Sequence, residues 1–263
     1  MPVRRRNSTL WHVGVEDPFD AAGKLARVGA MSEKTILVVG AGSGIGRAVA
    51  ARALEAGRPV IAAVRDASKV AGMGVEVLPF EADTAPEWKL PEKLGGLVYC
   101  PGSILLKPFH RLSDDEFLKD FEVNCMGAVR SIRAALPALK ASGCGSIVLF
   151  STVAVAQGMP FHASIATAKA AIEGLARSLA AELAPAVRVN VVAPSLTDTP
   201  LAATLLNTDA KREAAAKRHP LMNVGAAGDV ASLVMYLFGP ESAFMTGQVL
   251  RPDGGLSSVR TFA

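Results

Sequence analysis

Short apolar runs alternate with helical segments along most of the chain, and this alternation limits the possible fold more than any other feature. The runs are rich in β-branched residues and end in glycine, proline or polar turns, as strands buried on both faces of a parallel sheet do. The pattern predicts right-handed βαβ units and therefore a doubly wound parallel sheet with helices on both faces, an α/β fold. The predicted strands are residues 35–39, 59–64, 75–79, 96–100, 146–151, 187–193 and 248–250.

The helical segments and the ends of the chain set the domain organisation. Helices are predicted at residues 45–56, 113–139, 161–183 and 229–238, and Ser113 with Glu116 has the spacing of a capping box. Residues 31–263 contain no repeat or linker, so we expect a single domain there. Residues 1–30 lack the apolar core of a signal peptide. We expect them to be an N-terminal extension that is disordered or is a non-native start.

Charge, cysteine content and hydropathy exclude several classes of protein. A net charge of +4, with one small arginine cluster at residues 4–6, does not suit a nucleic-acid-binding surface. Polar residues interrupt the uncharged stretch 141–168, so no membrane span is expected. The three cysteines show no metal-ligand spacing and predict reduced thiols in a cytoplasmic protein without a metal.

A glycine-rich turn joins the first predicted strand to the first predicted helix. Gly40, Gly44 and Gly46 stand where the strand ends and the helix opens. A dinucleotide diphosphate needs close approach of the backbone, without a Cβ in the way, and helix N-terminal amides that point at it. The turn therefore predicts a Rossmann-type dinucleotide site.

The spacing of these glycines, and the order of the motifs that follow, resemble the short-chain dehydrogenase/reductase (SDR) family over almost everything after Met31. The resemblance implies a nicotinamide cofactor, a small-molecule substrate and a homotetramer or homodimer. YCPG at residues 99–102 stands in place of the family's Asn-Asn-Ala-Gly and keeps only the glycine, and Pro194-Ser195 stands where Pro-Gly is common. The cofactor-binding residues that the resemblance implies are Gly40, Ser43, Gly44, Ile45, Gly46, Arg65, Asp83, Thr84, Gly102, Asn124, Lys169, Pro194, Thr197 and Thr199.

Arg65 decides which nicotinamide cofactor we expect. Members of the family that prefer NAD usually carry an acidic residue at the end of the second strand, where this chain has Val64 followed by Arg65. A guanidinium there can bind a 2′-phosphate through charge-assisted hydrogen bonds. We therefore predict NADP(H); the alternative is a surface arginine that pairs with Asp66.

The family's catalytic residues are asparagine, serine, tyrosine and lysine, and the tyrosine transfers a proton to or from the substrate oxygen. The resemblance puts Asn124, Thr152 and Lys169 at three of these positions, with Ser151 beside Thr152. The tyrosine position holds Ile165, which cannot transfer a proton.

Two side chains are candidates to replace the tyrosine. His162 stands seven residues before the lysine, where enoyl-acyl-carrier-protein reductases of the same superfamily carry their tyrosine, and imidazole titrates near neutrality. A loop histidine with no catalytic part is the equally weighted alternative. Tyr99, at the end of a strand, is the weaker candidate.

Three functions stay open on this sequence. The first is an oxidoreductase that transfers hydride between NADP(H) and a small carbonyl or alcohol, with Thr152 or His162 in place of the tyrosine. The second is a reductase of activated C=C bonds, and the third is a degenerate NADP(H)-binding regulator or scaffold. Residues 199–220 carry four basic side chains that either receive an acidic or carrier-bound substrate or form a solvated helix face.

Overall fold

The computed structural model describes residues 34–261, so the expectation for residues 1–30 lies outside the described part of the chain. Seven parallel strands form one sheet in the order β3-β2-β1-β4-β5-β6-β9, and β7 and β8 form a separate parallel pair. The strands are β1 (Ile36–Val39), β2 (Val60–Val64), β3 (Glu76–Pro79), β4 (Gly96–Tyr99), β5 (Gly145–Phe150), β6 (Val187–Val192), β7 (Thr197–Asp198), β8 (Gly225–Ala226) and β9 (Val249–Leu250). The predicted doubly wound parallel sheet is confirmed.

Six α-helices accompany the strands in the described residues. They are α1 (Gly44–Glu55), α2 (Asp114–Phe121), α3 (Gly127–Ala141), α4 (Ala163–Leu183), α5 (Asp209–Ala216) and α6 (Ala227–Phe238). Successive side chains of a strand point to opposite faces, so each strand supplies two cores. Leu37 and Val39 pack in the core under α3 and α4, whereas Ile36 and Val38 pack in the core under α1 and α6.

The predicted helix 113–139 is interrupted, which corrects the sequence prediction. Its capping box is confirmed, since the Ser113 hydroxyl accepts from the Glu116 amide and the Glu116 carboxylate accepts from the Ser113 amide. However, a π-turn at Glu122–Met126 separates α2 from α3. The Tyr99 hydroxyl donates a 2.6 Å hydrogen bond to the Val123 carbonyl inside this turn, which supplies that carbonyl with a partner from outside the helix.

The last long helix before β6 begins two residues later than the sequence predicts. Phe161 has a φ of +67°, in the left-handed region, which a helix cannot accommodate. Helix α4 therefore starts at Ala163, and His162 is its N-cap residue.

Candidate active site

A groove and a cavity open at the carboxyl ends of the central strands, where ligands of open α/β sheets bind. The groove has a volume of about 860 Å³ and follows the ends of β1, β2 and β4. The cavity has a volume of about 440 Å³ and lies at the ends of β4, β5 and β6. The two are continuous, because they share the wall residues Ile45, Cys100, Gly102, Ser103, Thr199 and Leu201.

The glycine turn forms one end of the groove. Gly40 and Gly44 have φ values of +83° and +52°, which β-carbon-bearing residues rarely adopt. A methyl group on Gly46 would overlap the Gly40 carbonyl, so this glycine lets α1 pack closely against the turn. Ser43 makes no side-chain cap and the first turn of α1 holds no acidic residue, so the positive end of the helix faces the groove uncompensated.

Two cations stand on the groove wall beyond the end of β2. Arg65 and Lys69 both line the groove, and within residues 34–261 the Arg65 guanidinium has no hydrogen bond or ion pair. The ion pair with Asp66 that sequence left open does not form. Asp66 instead accepts hydrogen bonds from the amide and hydroxyl of Ser68. The Arg65 guanidinium is therefore available to a ligand phosphate.

Of the other cofactor-binding residues that the resemblance implies, some line the groove, some line the cavity, and Thr84 lines neither. Asp83 lines the groove, whereas the exposed Thr84 does not and only donates to Asp83 at 3.3 Å. Pro194 and Thr197 line the cavity, and Thr199 lines both spaces.

Asn124 lies in the π-turn and is fully buried. Its amide nitrogen donates to the Ser103 hydroxyl at 2.7 Å and to the Asp120 carbonyl at 2.8 Å. The buried Asp120 carboxylate accepts in turn from Ser103 and from Ser164, each at 2.6 Å. The Asn124 Oδ1 atom is left without a partner in the described residues, and it would lie 3.2 Å from a β-carbon on Gly102.

Lys169 is the buried cation of the site, with 8% of its surface exposed. Its Nζ atom would lie 3.6 Å from a β-carbon on Gly102, on the same glycine that the Asn124 oxygen approaches. Burial lowers the pKa of Lys169 to about 8, against the opposite influence of Cys100, Cys125 and Asp120. An unpartnered acceptor and a desolvated ammonium thus converge on space that glycine leaves free. This arrangement fits the ribose hydroxyls of a dinucleotide.

Two hydroxyl groups follow the end of β5. The Ser151 hydroxyl is used inside the fold, whereas the Thr152 hydroxyl can reach a ligand. The Ser151 hydroxyl donates to Glu173 at 2.7 Å in a buried contact with α4. Thr152 accepts from the Ala154 amide at 3.3 Å and lines the cavity, so its own hydrogen is free to reach a ligand. Ile165 lines the same cavity and presents only hydrocarbon.

His162 is half-buried and lines the cavity. Its Nδ1 atom is 2.7 Å from the Pro160 carbonyl, and because a carbonyl only accepts, Nδ1 carries a hydrogen. Nε2 is then the nitrogen left to exchange a proton with a ligand. Tyr99, the weaker candidate, is wrong for this function: it lines neither space, packs edge-on against Phe80 and donates to Val123. Burial also raises its pKa.

The structure adds cavity residues that the sequence analysis did not assign a function. The Nε2 atom of the buried His219 lies 2.9 Å from the Ser195 hydroxyl, and its Nδ1 lies 2.9 Å from the Ala215 carbonyl. Cys100, at a family asparagine position, lies between groove and cavity, and burial raises the pKa of its thiol to about 12. The only sequence signal was that Cys100 and Ser195 depart from the family pattern.

Over residues 34–261 there is no cluster of three or more histidine, cysteine or acidic side chains able to hold a metal ion. No helix in that same range is long and apolar enough to cross a bilayer.

Comparison with known proteins agrees with this geometry. Residues 40–257 match the family model described as Enoyl-(Acyl carrier protein) reductase. The chain is 33% identical over 261 residues to the short-chain reductase protein NovJ of Streptomyces niveus, covering 90% of this chain and 98% of that one. It is 34% identical over 250 residues to a tropinone reductase homologue of Arabidopsis thaliana, At5g06060, covering 86% and 93%.

The solved structure of an aldohexose dehydrogenase from Thermoplasma acidophilum superposes with a TM-score of 0.82 at 28% identity, over 89% of this chain and 97% of that one. Sheet order, glycine turn and family match agree. The chain belongs to the short-chain dehydrogenase/reductase superfamily of oxidoreductases.

Proposed function

We propose that this protein is an NADP(H)-dependent oxidoreductase that reduces a small carbonyl compound or an activated C=C bond. One observation carries the proposal: a groove that begins at the glycine turn and Arg65 runs to Gly102, which Asn124 and Lys169 approach, and continues there into a cavity with largely apolar walls. Such a path would bring one end of a dinucleotide against a substrate that lies between largely apolar walls.

The residues of this chain divide the work of binding and proton transfer. When bound, the reduced nicotinamide supplies the hydride. Lys169 and Asn124 hold the neighbouring ribose, and the Thr152 hydroxyl donates a hydrogen bond to the substrate oxygen. His162, protonated on both ring nitrogens, gives the Nε2 proton to that oxygen as it gains negative charge. The hydride and this proton together account for both hydrogens of the product alcohol.

Reduction of an activated C=C bond is the second form of this activity. The matching family model is described as an enoyl reductase family. Reduction of C=C can take its final proton from water, so it depends less on a positioned acid than ketone reduction does. The presence of Ile165 at the tyrosine position supports this form and equally supports the third function, an NADP(H)-binding regulator or scaffold without turnover.

Replacement of His162 tests the proton donor. His162→Ala is expected to lower kcat for ketone reduction about 100-fold, because a positioned acid contributes on that order. NADPH oxidation against a panel of ketones, quinones and enones measures this, and His110→Ala, an exposed histidine outside the cavity, serves as the matched control. An unchanged rate in His162→Ala removes histidine from the mechanism. Protection of the parent from thermal unfolding by NADPH, without turnover of any panel member, favours the regulator.

Replacement of Arg65 tests the cofactor. Arg65→Ala is expected to weaken NADPH binding about 10- to 100-fold and to leave NADH binding nearly unchanged, because one charge-assisted contact to the 2′-phosphate is lost. Calorimetric titration with each cofactor measures both affinities. Arg52→Ala, an exposed arginine at the other end of α1, controls for a general loss of positive charge. NADH binding as tight as NADPH binding in the parent contradicts the assignment.

Location and assembly complete the proposal. We infer a cytoplasmic protein, since Cys100, Cys125 and Cys144 are all free thiols. We also infer a homodimer or homotetramer, supported by large apolar side chains that are exposed in the single chain, among them Leu118 and Phe244. Light scattering on the purified protein measures the assembly.

A further inference from the structure

We propose that the cavity binds a substrate with a carboxylate group, held by Arg218, and that an apolar body joins this carboxylate to the group that is reduced. The inference rests on the proposed function, because it names the class of molecule that enters the same cavity. The sequence allowed two interpretations of the four basic side chains in residues 199–220: a site for an acidic substrate, or a solvated helix face. In the structure, three of these side chains fit the second interpretation and one fits the first.

Three of the four cations in residues 199–220 have a hydrogen-bond or ion-pair partner on a nearby residue of the same segment or on Asp198. The Lys211 ammonium donates to the Thr204 carbonyl and the Asn207 side chain, at 3.0 and 2.9 Å. Arg212 pairs with Asp198 at 2.6 Å, and Lys217 pairs with Glu213 at 2.6 Å. These three cations lie on an exposed face, as the solvated-helix interpretation expects.

Arg218 behaves differently from its neighbours. It is exposed as the other three cations are, but its guanidinium has no hydrogen bond or ion pair in the described part of the chain, and the residue lines the cavity that Lys169 and Thr152 also line. The adjacent His219 is buried and bound on both ring nitrogens, to Ala215 and to Ser195. His219 thereby anchors the backbone next to Arg218, and the Arg218 side chain lies at the edge of the ligand space without a partner among residues 34–261.

The charged side chains that line the cavity have one sign. They are Lys169 and Arg218, and among residues 34–261 no aspartate or glutamate lines it. Walls of one charge and low polarity concentrate ligands of the opposite charge. A carboxylate is planar and accepts two parallel hydrogen bonds from a guanidinium. The guanidinium of Arg218 therefore binds a carboxylate with more defined geometry than a lysine ammonium would.

The remaining side chains of the cavity wall indicate what joins the carboxylate to the group that is reduced. It is formed largely by apolar side chains, among them Ile104, Leu106, Met159, Leu201, Leu205 and Leu256. A polar middle section would lose its hydration there without replacement hydrogen bonds. The ligand class is therefore a keto acid or enone acid with a hydrocarbon spacer or ring.

Matched acids and esters test this inference. The probes are levulinate, para-acetylbenzoate and para-carboxybenzylideneacetone, each compared with its methyl ester. Binding to the NADP⁺-loaded protein is measured by calorimetry, and kcat/KM is measured with NADPH. We expect the parent to bind at least one acid about 10- to 100-fold more tightly than its ester, and Arg218→Gln to lose that preference while binding the ester as before.

Arg212→Gln is the control variant. It removes an equal charge from the same segment, residues 199–220, but at a residue that is paired with Asp198. It should keep the preference for the acid. Equal binding of every acid and its ester, failure of every acid to bind, or a preference that survives Arg218→Gln would each overturn the carboxylate site. Preferential binding of an acid without any NADPH oxidation would support the site and would instead contradict the proposed oxidoreductase.

Discussion

Replacement of Lys169 by methionine is expected to abolish turnover and at the same time to stabilise the folded protein. The loss of activity, about 100-fold or more in kcat/KM, follows because the buried ammonium is the group that the proposed function uses to hold the ribose. The gain in stability follows because burial disfavours that ammonium and lowers its pKa from 10.5 to about 8. Methionine has a similar length and no charge to desolvate.

The pH dependence of stability has a definite sign. Between the folded pKa of about 8 and the unfolded value of 10.5, the folded state binds fewer protons than the unfolded state. The free energy of unfolding of the parent should therefore rise with pH across this window, and Lys169→Met should lack that rise. At pH 7 the lysine is charged in both states, and the variant should be more stable by roughly 3 kcal/mol.

Urea unfolding at several pH values, together with NADPH oxidation rates, measures both halves of this prediction. Lys217→Met is the control, since that side chain is exposed and paired with Glu213, and it should change neither quantity by much. A variant at position 169 that is less stable than the parent at pH 7 would show that the lysine contributes to the fold, and a variant with full activity would remove it from the site.

The substitution Gly46→Ala is expected to cost about 3 kcal/mol of stability and to eliminate protection of the protein by NADPH. The added methyl group would overlap the Gly40 carbonyl oxygen and lie 2.9 Å from the carbonyl carbon, and neither atom can move without displacing the turn. Since that same turn receives the diphosphate, one steric conflict should affect both packing and binding. Thermal unfolding with and without NADPH separates the two effects.

Gly174→Ala is the matched control for this substitution. Gly174 is exposed in the middle of α4, and a methyl group there would meet nothing within 4 Å. Alanine is the better helix former, so the control should gain about 0.5–1 kcal/mol and keep NADPH protection. Equal effects at the two glycines would show that close packing at residue 46 has no special importance.

The sequence predicted those parts of the molecule that depend on local pattern. Each predicted strand is present within one residue at either end, because buried parallel strands are short, apolar and punctuated by turns. The capping box at Ser113 was predictable for the same reason: both of its hydrogen bonds join residues three apart.

Contacts between distant residues were not predictable in this way. The π-turn at Glu122–Met126 involves a hydrogen bond from Tyr99, at the end of β4, and a loop and α2 separate the two in the chain. The pairing of His219 with Ser195 and the lack of a partner for Arg218 likewise follow from tertiary contacts. Substitutions at the family positions 100 and 195 were visible in the sequence, but their chemical neighbours were not.

The π-turn also restricts how this chain can vary in length. A turn that closes five residues apart contains one residue more than an α-turn, and one residue corresponds to a rotation of about 100° around the helix axis. Losing that residue would rotate the apolar side of α2 away from the side on which α3 packs. The amide of Asn124 would swing with it. A one-residue deletion in this helix would therefore uncouple the two halves that it joins.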